Sequence, residues 1–205
     1  MSQAKDTYRT LKGRSESLYK VKGSKHFGYA FPAYSKEEVS EHLETIKKEH
    51  HSARHHCYAY RLGLDKDVYR ANDDGEPSNS AGKPILGQIQ SFDLTNVFIV
   101  VVRYFGGVKL GVGGLIDAYR NAAKMAIESG DIVERTVMNT YRINFEYPQM
   151  SEVMGLLKGS GLEFRDQVFE MECSLLTDVR LSASETFEAQ MNKVDNLELE
   201  LIQTA

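Results

Sequence analysis

The stretch NVFIVVVRYFGGVKLGVGGLIDAY, residues Asn96–Tyr119, decides the fold. Its first half belongs to a continuous β-branched run, Thr95–Phe105, of the kind found in strands buried on both faces. Such a strand needs a covering layer on each side, which points to a mixed α and β architecture. Glycines then cluster at 106, 107, 111, 113 and 114, and a helix is expected from about Leu115 to Ser129. A strand running through clustered glycines to a helix start exposes backbone N–H groups, and the helix dipole behind them suits an anion. Lys109 inside the loop and Arg103 just before it add positive charge. The spacing matches neither GxGxxG with its downstream acid nor GxxxxGK[ST], so the loop is not a standard nucleotide fingerprint.

Working outward, Ser17–Ala30 alternates polar and apolar residues and reads as an extended hairpin. Ser35 followed by Glu38 forms a capping box for a helix through about Glu49, with Val39, Leu43 and Ile46 as its buried stripe. Ala53–Leu62 and Asp67–Ala71 read as strands, the turn-rich segment Asn72–Ser80 as a loop, and Ala81–Gln90 as a short helix. After Asp131–Val137 the pattern restarts. Strands are expected at Val137–Tyr147, Glu163–Phe169, Glu172–Asp178 and Leu197–Ile202. Helices are expected at Gln149–Leu157 and at Ser182–Val194, the latter capped by Ser182. That order is β-α-β-β-α-β, the split βαβ of a ferredoxin-like domain. The expected domains are residues 1–134 and 135–205.

Composition narrows the class further. The apolar content and mixed charge are those of a globular chain, and no run of about 18 apolar residues is present. Residues near the start are polar, without a secretory signal, so the expected location is cytoplasmic. Cys57 and Cys173 are the only cysteines, far apart and without CxxC spacing, which argues against a disulfide framework or structural zinc. Residues 1–134 carry 19 Lys+Arg against 17 Asp+Glu, and residues 135–205 carry 6 against 12. A polyanion partner is therefore expected at the first part, and a protein partner at the acidic second part.

Two further clusters could carry chemistry. Asp73-Asp74-Gly75-Glu76 places three carboxylates within four residues, able to bind a hard cation or act as acid and base. The same residues could instead cap turns and the following helix. Gly82-Lys83 resembles the end of a P-loop, but Pro77 replaces its first glycine and Pro84 its Ser/Thr. In His50-His51 and His55-His56-Cys57, only His55 and Cys57 share a strand face. The expected arrangement puts Cys57 inside and one histidine on a binding surface, with no metal and no cofactor. Tyr58, Tyr60, Tyr104 and Phe105 could supply stacking faces, although most of them are expected in the core.

Together SKHFGYAFP (Ser24–Pro32), HHCYAYRLG (His55–Gly63), DDGEPSNSAGKPIL (Asp73–Leu86) and Asn96–Tyr119 resemble the diagnostic core of the IMPACT family (YigZ-like, UPF0029), in its bacterial two-domain form. The resemblance implies an α+β protein with a ribosomal protein S5 domain 2-like first domain. It implies a ferredoxin-like second domain, similar to the C-terminal domain of elongation factor G. Domains of this kind often touch RNA or the ribosome, which implies a role in translation regulation. The eukaryotic relatives' kinase-restraining mechanism uses an RWD domain that is not expected before residue 17, and it is not carried over. Two residues depart from the family pattern: Asn79 stands where glycine is usual, and Asp117 where many members carry arginine.

The leading expectation is an RNA- or ribosome-contacting protein, not an enzyme. Its anion surface would comprise Lys83, Arg103, Gly106, Gly107, Lys109, Gly111, Gly113, Gly114 and His55. The alternative is a hydrolase using Asp73, Asp74 or Glu76 with His55 or His56. It requires a carboxylate and a histidine close enough to share a proton.

Overall fold

The computed structural model describes residues 6–204. The chain divides into a larger unit, Tyr8–Arg135, and a second unit made of the residues after it together with the N-terminal end up to Thr7. In chain order the first part contains β1 (Thr7–Leu11), β2 (Ser15–Val21), β3 (Ser24–Pro32), α1 (Lys36–Glu49), β4 (His55–Leu62) and β5 (Val68–Asn72). It continues with α2 (Gly82–Ser91), β6 (Val97–Tyr104), α3 (Gly111–Glu128) and β7 (Ile132–Thr136). The second part contains β8 (Met138–Glu146), α4 (Met150–Gly159), β9 (Phe164–Phe169), β10 (Glu172–Arg180), α5 (Ser184–Met191) and β11 (Glu198–Thr204). The chain is α+β.

In the larger unit five antiparallel strands run in the order β2-β3-β6-β4-β5. β6 is central, and Val97–Val102 are all fully buried. Alternation along it explains why. Val97, Ile99 and Val101 pack with Ala30, Cys57 and Ala59 under α2 and α3, against Ile85, Ile89, Leu115, Tyr119, Ala122 and Ala126. Phe98, Val100 and Val102 face the other way, into a cluster with Val39 and Ile46 of α1. The sheet thus sits between two helical layers, as its apolar central strand required.

The α1 start is capped as the sequence indicated: Glu38 N–H donates to Ser35 Oγ at 3.2 Å. The return bond differs from the capping box, because the Glu38 carboxylate accepts from Tyr34 N–H rather than from Ser35. Leu43 in the expected stripe is only half-buried, while Val39 and Ile46 are buried. α3 lies against β2 and β3 closely enough that Ser15 Oγ donates to Ala126 O (2.7 Å) and Ser17 Oγ to Ala122 O (3.0 Å). A Cβ at Gly28 would stand 2.7 Å from Ala122 O, so this strand position has room only for hydrogen.

α3 begins at Gly111, four residues before the position expected. Gly111, Gly113 and Gly114 therefore form its first turn rather than a loop. Gly111 takes φ +73°, which only glycine adopts without strain, and the chain turns there from loop into helix. Strands β1 and β7 pair with each other and were not anticipated.

In the second unit the strand order is β11-β8-β10-β9, all antiparallel, with the βαββαβ element order read from the sequence. Val153 and Leu157 of α4 and Phe187 and Met191 of α5 pack on Tyr141, Ile143, Phe145, Leu175 and Val179 of the sheet. Ser182 does not cap α5. Leu181–Ala183 form a 3-10 turn, and the helix starts at Ser184 without a side-chain cap. The Ser184 hydroxyl instead accepts from Asn139 Nδ2 at 2.9 Å.

Candidate functional site

The strand register of the larger unit creates the site. His26 of β3 and His55 of β4 both pair with Arg103 of β6, so three titratable side chains stand in one cross-strand row. They share the face covered by α3, as Cys57 does. Tyr119 of α3 and Glu76 of the loop between β5 and α2 close over this row. Arg103 Nη1 donates to Glu76 Oε1 at 2.7 Å, and Tyr119 OH donates to the same oxygen at 2.8 Å. The two charged side chains are 4% (Glu76) and 9% (Arg103) exposed. An ion pair this buried is a costly feature, held together by geometry and the added hydroxyl. Cys57 Sγ donates to Asp73 O at 2.9 Å and lies 3.3 Å from Tyr119 OH. Burial pushes both the Cys57 thiol and the Tyr119 hydroxyl well above their ordinary pKa values.

His26 is fully buried with neither ring nitrogen hydrogen-bonded, its ring edge-on to Tyr119 at 5.3 Å. Burial, reinforced by the Arg103 charge, lowers its pKa to about 4, so it is neutral. His56 is buried on the opposite face, and its pKa is likewise lowered by burial. Both ring nitrogens of His50 are engaged, with Tyr29 OH at 2.6 Å and Tyr104 OH at 3.0 Å.

The carboxylate loop is folded by its own side chains. Asp73 Oδ1 accepts from Ala81 N–H (3.0 Å) and Gly82 N–H (2.8 Å), and Oδ2 from Asn79 N–H (2.8 Å). It thereby caps α2, whose N-cap residue Ala81 provides no side-chain cap of its own. Asp74 Oδ2 accepts from His56 N–H at 2.7 Å, while Asp74 O accepts from His55 Nδ1 at 2.8 Å. A carbonyl can only accept, so His55 Nδ1 carries a proton and donates it to this contact. Asn79 adopts φ +63°, the left-handed region that asparagine tolerates better than most residues. A position of this conformation suits asparagine as well as glycine.

Above this cluster opens a cleft of about 640 Å³, where β6 ends and β4 begins. His55, Glu76, Arg103, Lys109 and Gly111 of the sequence-derived residues line it together. The others are elsewhere. Lys83 is exposed on the first turn of α2 and is not part of the lining. Gly106 is packed against the β2–β3 turn: a Cβ there would stand 1.9 Å from the Gly23 carbonyl carbon. Gly107, Gly113 and Gly114 are not part of the lining, and neither are Asp73 and Asp74.

Arg54 lines the cleft and was not singled out from the sequence, because Ala53–Leu62 reads as one strand. β4 begins only at His55, leaving Arg54 exposed in the turn before it. Phe105 is 59% exposed, with the Arg103 guanidinium 5.6 Å from its ring centroid. Arg54 and Lys109 make no ion pair among the described residues. The Arg103 charge, in contrast, is matched by Glu76. Asp117 is exposed and pairs with Arg120 at 2.8 Å.

Residues 22–127 match the Impact N-terminal domain. The chain belongs to the IMPACT family. An IMPACT family member of Bacillus subtilis, YvyE, is 30% identical over 190 residues, spanning 93% of this chain and 88% of the relative. An IMPACT family member of Haemophilus influenzae is 34% identical over 178 residues, 84% of this chain and 85% of the relative. A solved structure described as a hypothetical protein superposes with a TM-score of 0.73 at 26% identity, covering 98% of this chain and 99% of that one. No helix among the described residues is long and apolar enough to cross a membrane.

Proposed function

We propose that this IMPACT protein contacts RNA, free or within the ribosome, and thereby modulates translation in the cytoplasm. The observation that carries the reading is the cleft: Arg54 and Lys109, two cations that make no ion pair among the described residues, flank an exposed aromatic ring and the start of α3. Unpaired Lys and Arg attract phosphate and release counterions, and an exposed ring stacks a base. The reading also takes the two units as domains divided near residue 134, the larger with an S5 domain 2-like fold. The β11-β8-β10-β9 order supports a ferredoxin-like second domain. That acidic domain orients the first or binds a protein.

The hydrolase reading meets its distance requirement, with His56 Nδ1 3.8 Å from Asp74 Oδ2, but it is less favoured because its carboxylates are engaged. Asp73 and Asp74 accept from backbone N–H groups, and Glu76 from Arg103 and Tyr119.

The test is filter binding to ribosomal RNA at two salt concentrations, comparing the native chain with Arg54→Ala/Lys109→Ala. Both cations are exposed, so the double variant should fold normally. The expected result is saturable binding that weakens with salt, with the slope reduced by about two in the variant. Equal affinity and slope in both proteins would remove the cleft as the contact.

A further inference from the structure

We propose that the cleft is a subsite for one nucleotide bearing a phosphate monoester, the terminal residue of a single-stranded RNA or a free mononucleotide. The proposal deepens the RNA reading and rests on it for the RNA-terminus arm alone. Size is the first argument. About 640 Å³ accommodates a small ligand and is too small for a duplex.

Charge is the second. α3 is an 18-residue helix with no side-chain cap and no acidic residue in its first turn, so the N–H groups there lack side-chain partners. The cleft is lined by Gly111 and Val112 of that turn, and a Cβ at Gly111 or Gly113 would meet nothing within 4 Å. Lys109 and Arg54 add two positive charges unmatched among the described residues, and the helix start adds roughly half a charge more. A phosphate monoester carries roughly −1.5 to −2 and balances this set better than an internal phosphodiester.

Unpartnered donors and acceptors supply the third argument. Arg103 is nine-tenths buried and lines the cleft, yet only its Nη1 is bonded; Nε is buried without a partner, and Nη2 has none among the described residues. His55 Nε2 has no partner among the described residues, since only Nδ1 is committed, to Asp74 O, and it can hydrogen-bond a ribose hydroxyl. Phe105 offers the flat apolar face on which a base stacks regardless of its identity. Phosphate at the α3 start, ribose at His55 and base on Phe105 fill one contiguous site.

The test uses fluorescence anisotropy of a 3′-labelled oligouridylate carrying either a 5′-phosphate or a 5′-hydroxyl, with uridine monophosphate, uridine and inorganic phosphate as competitors. The phosphorylated end should bind about tenfold or more tightly, and uridine monophosphate should compete where uridine does not. Val112→Glu places a carboxylate in the first turn of α3, which favours the helix but repels phosphate. It should lower affinity about tenfold while leaving the unfolding midpoint unchanged or raised. Phe105→Ala should weaken mononucleotide binding by about tenfold. Equal binding of both ends, with no competition by uridine monophosphate and no effect of either variant, would overturn the subsite. Salt-dependent RNA binding sensitive to Arg54 and Lys109 would then still uphold the RNA reading. Uridine monophosphate binding, read directly by isothermal titration calorimetry, without oligonucleotide binding would uphold the subsite and overturn that reading.

Discussion

Replacing Arg103 by Met tests the buried cluster beneath the cleft. In the native chain Glu76 Oε1 accepts from Arg103 and from Tyr119, in a side chain only 4% exposed. Arg103→Met keeps the aliphatic volume but leaves the carboxylate with a single neutral donor. Breaking one side of a buried pair costs about 3–5 kcal/mol, most of it the desolvation of the charge left behind. For a unit of this size that is a fall in Tm of roughly 10–20 °C. Glu76→Gln should cost less, about 1–3 kcal/mol, because Arg103 reaches the cleft and can be hydrated there. The double variant should cost less than the sum of the two, with a coupling of about 2 kcal/mol or more. Urea unfolding followed by tyrosine fluorescence suits the chain, which has 11 tyrosines and no tryptophan. A cost below about 1 kcal/mol for Arg103→Met, or strict additivity in the cycle, would mean that the pair is solvated and the buried cluster does not exist.

Gly106→Ala should destabilise by about 3 kcal/mol or more, because the new Cβ meets Gly23 and Ser24 backbone, whereas Gly113→Ala meets open space and should stabilise by about 0.5–1 kcal/mol. Urea midpoints of the two variants distinguish the glycine that permits packing from the one that is merely helical. Asp73→Ala removes the acceptor of three backbone N–H groups and should cost about 2 kcal/mol, with faster amide exchange confined at first to residues 79–86. Stability should also depend on pH through His26, whose pKa falls from 6.5 in the unfolded chain to about 4 in the folded one. The unfolded chain takes up the proton first. The contribution is therefore full above pH 6.5 and is lost progressively as pH falls to about 4, by up to roughly 3 kcal/mol. His50 and His56 shift in the same direction. Unfolding midpoints across that range should fall less steeply in His26→Asn, and an unchanged slope would contradict the burial of that ring.

Elements with strong local signals were legible in the sequence. The β-branched run gave the central strand, Ser35 the start of α1, and alternation the β2–β3 hairpin. What escaped depended on distant partners. β1 and β7 are short strands whose pairing joins residues more than a hundred positions apart, as in the Lys12 N–H bond to Asp131 O. The glycines at 111–114 read as loop because glycine disfavours helix. Packing of Leu115, Tyr119, Ala122 and Ala126 on the sheet outweighs that preference and extends α3 back to Gly111. In the cleft, Lys109, Arg103, His55 and Glu76 were identifiable by residue type. Their pairing was not: nothing in the spacing of Glu76, Arg103 and Tyr119 shows that one carboxylate would neutralise the arginine. Asp73 could be read as an acid or, with somewhat more warrant, as a cap, and the three N–H contacts decide for the cap.

The central claim is that RNA meets this chain at the cleft between the start of β4 and the start of α3. Ultraviolet crosslinking to ribosomal RNA, followed by peptide mapping by mass spectrometry, locates that contact without any substitution. The account predicts crosslinks at Phe105 and in the peptides carrying Arg54 and Lys109. Crosslinks confined to residues 136–204, or none at low salt, would contradict it.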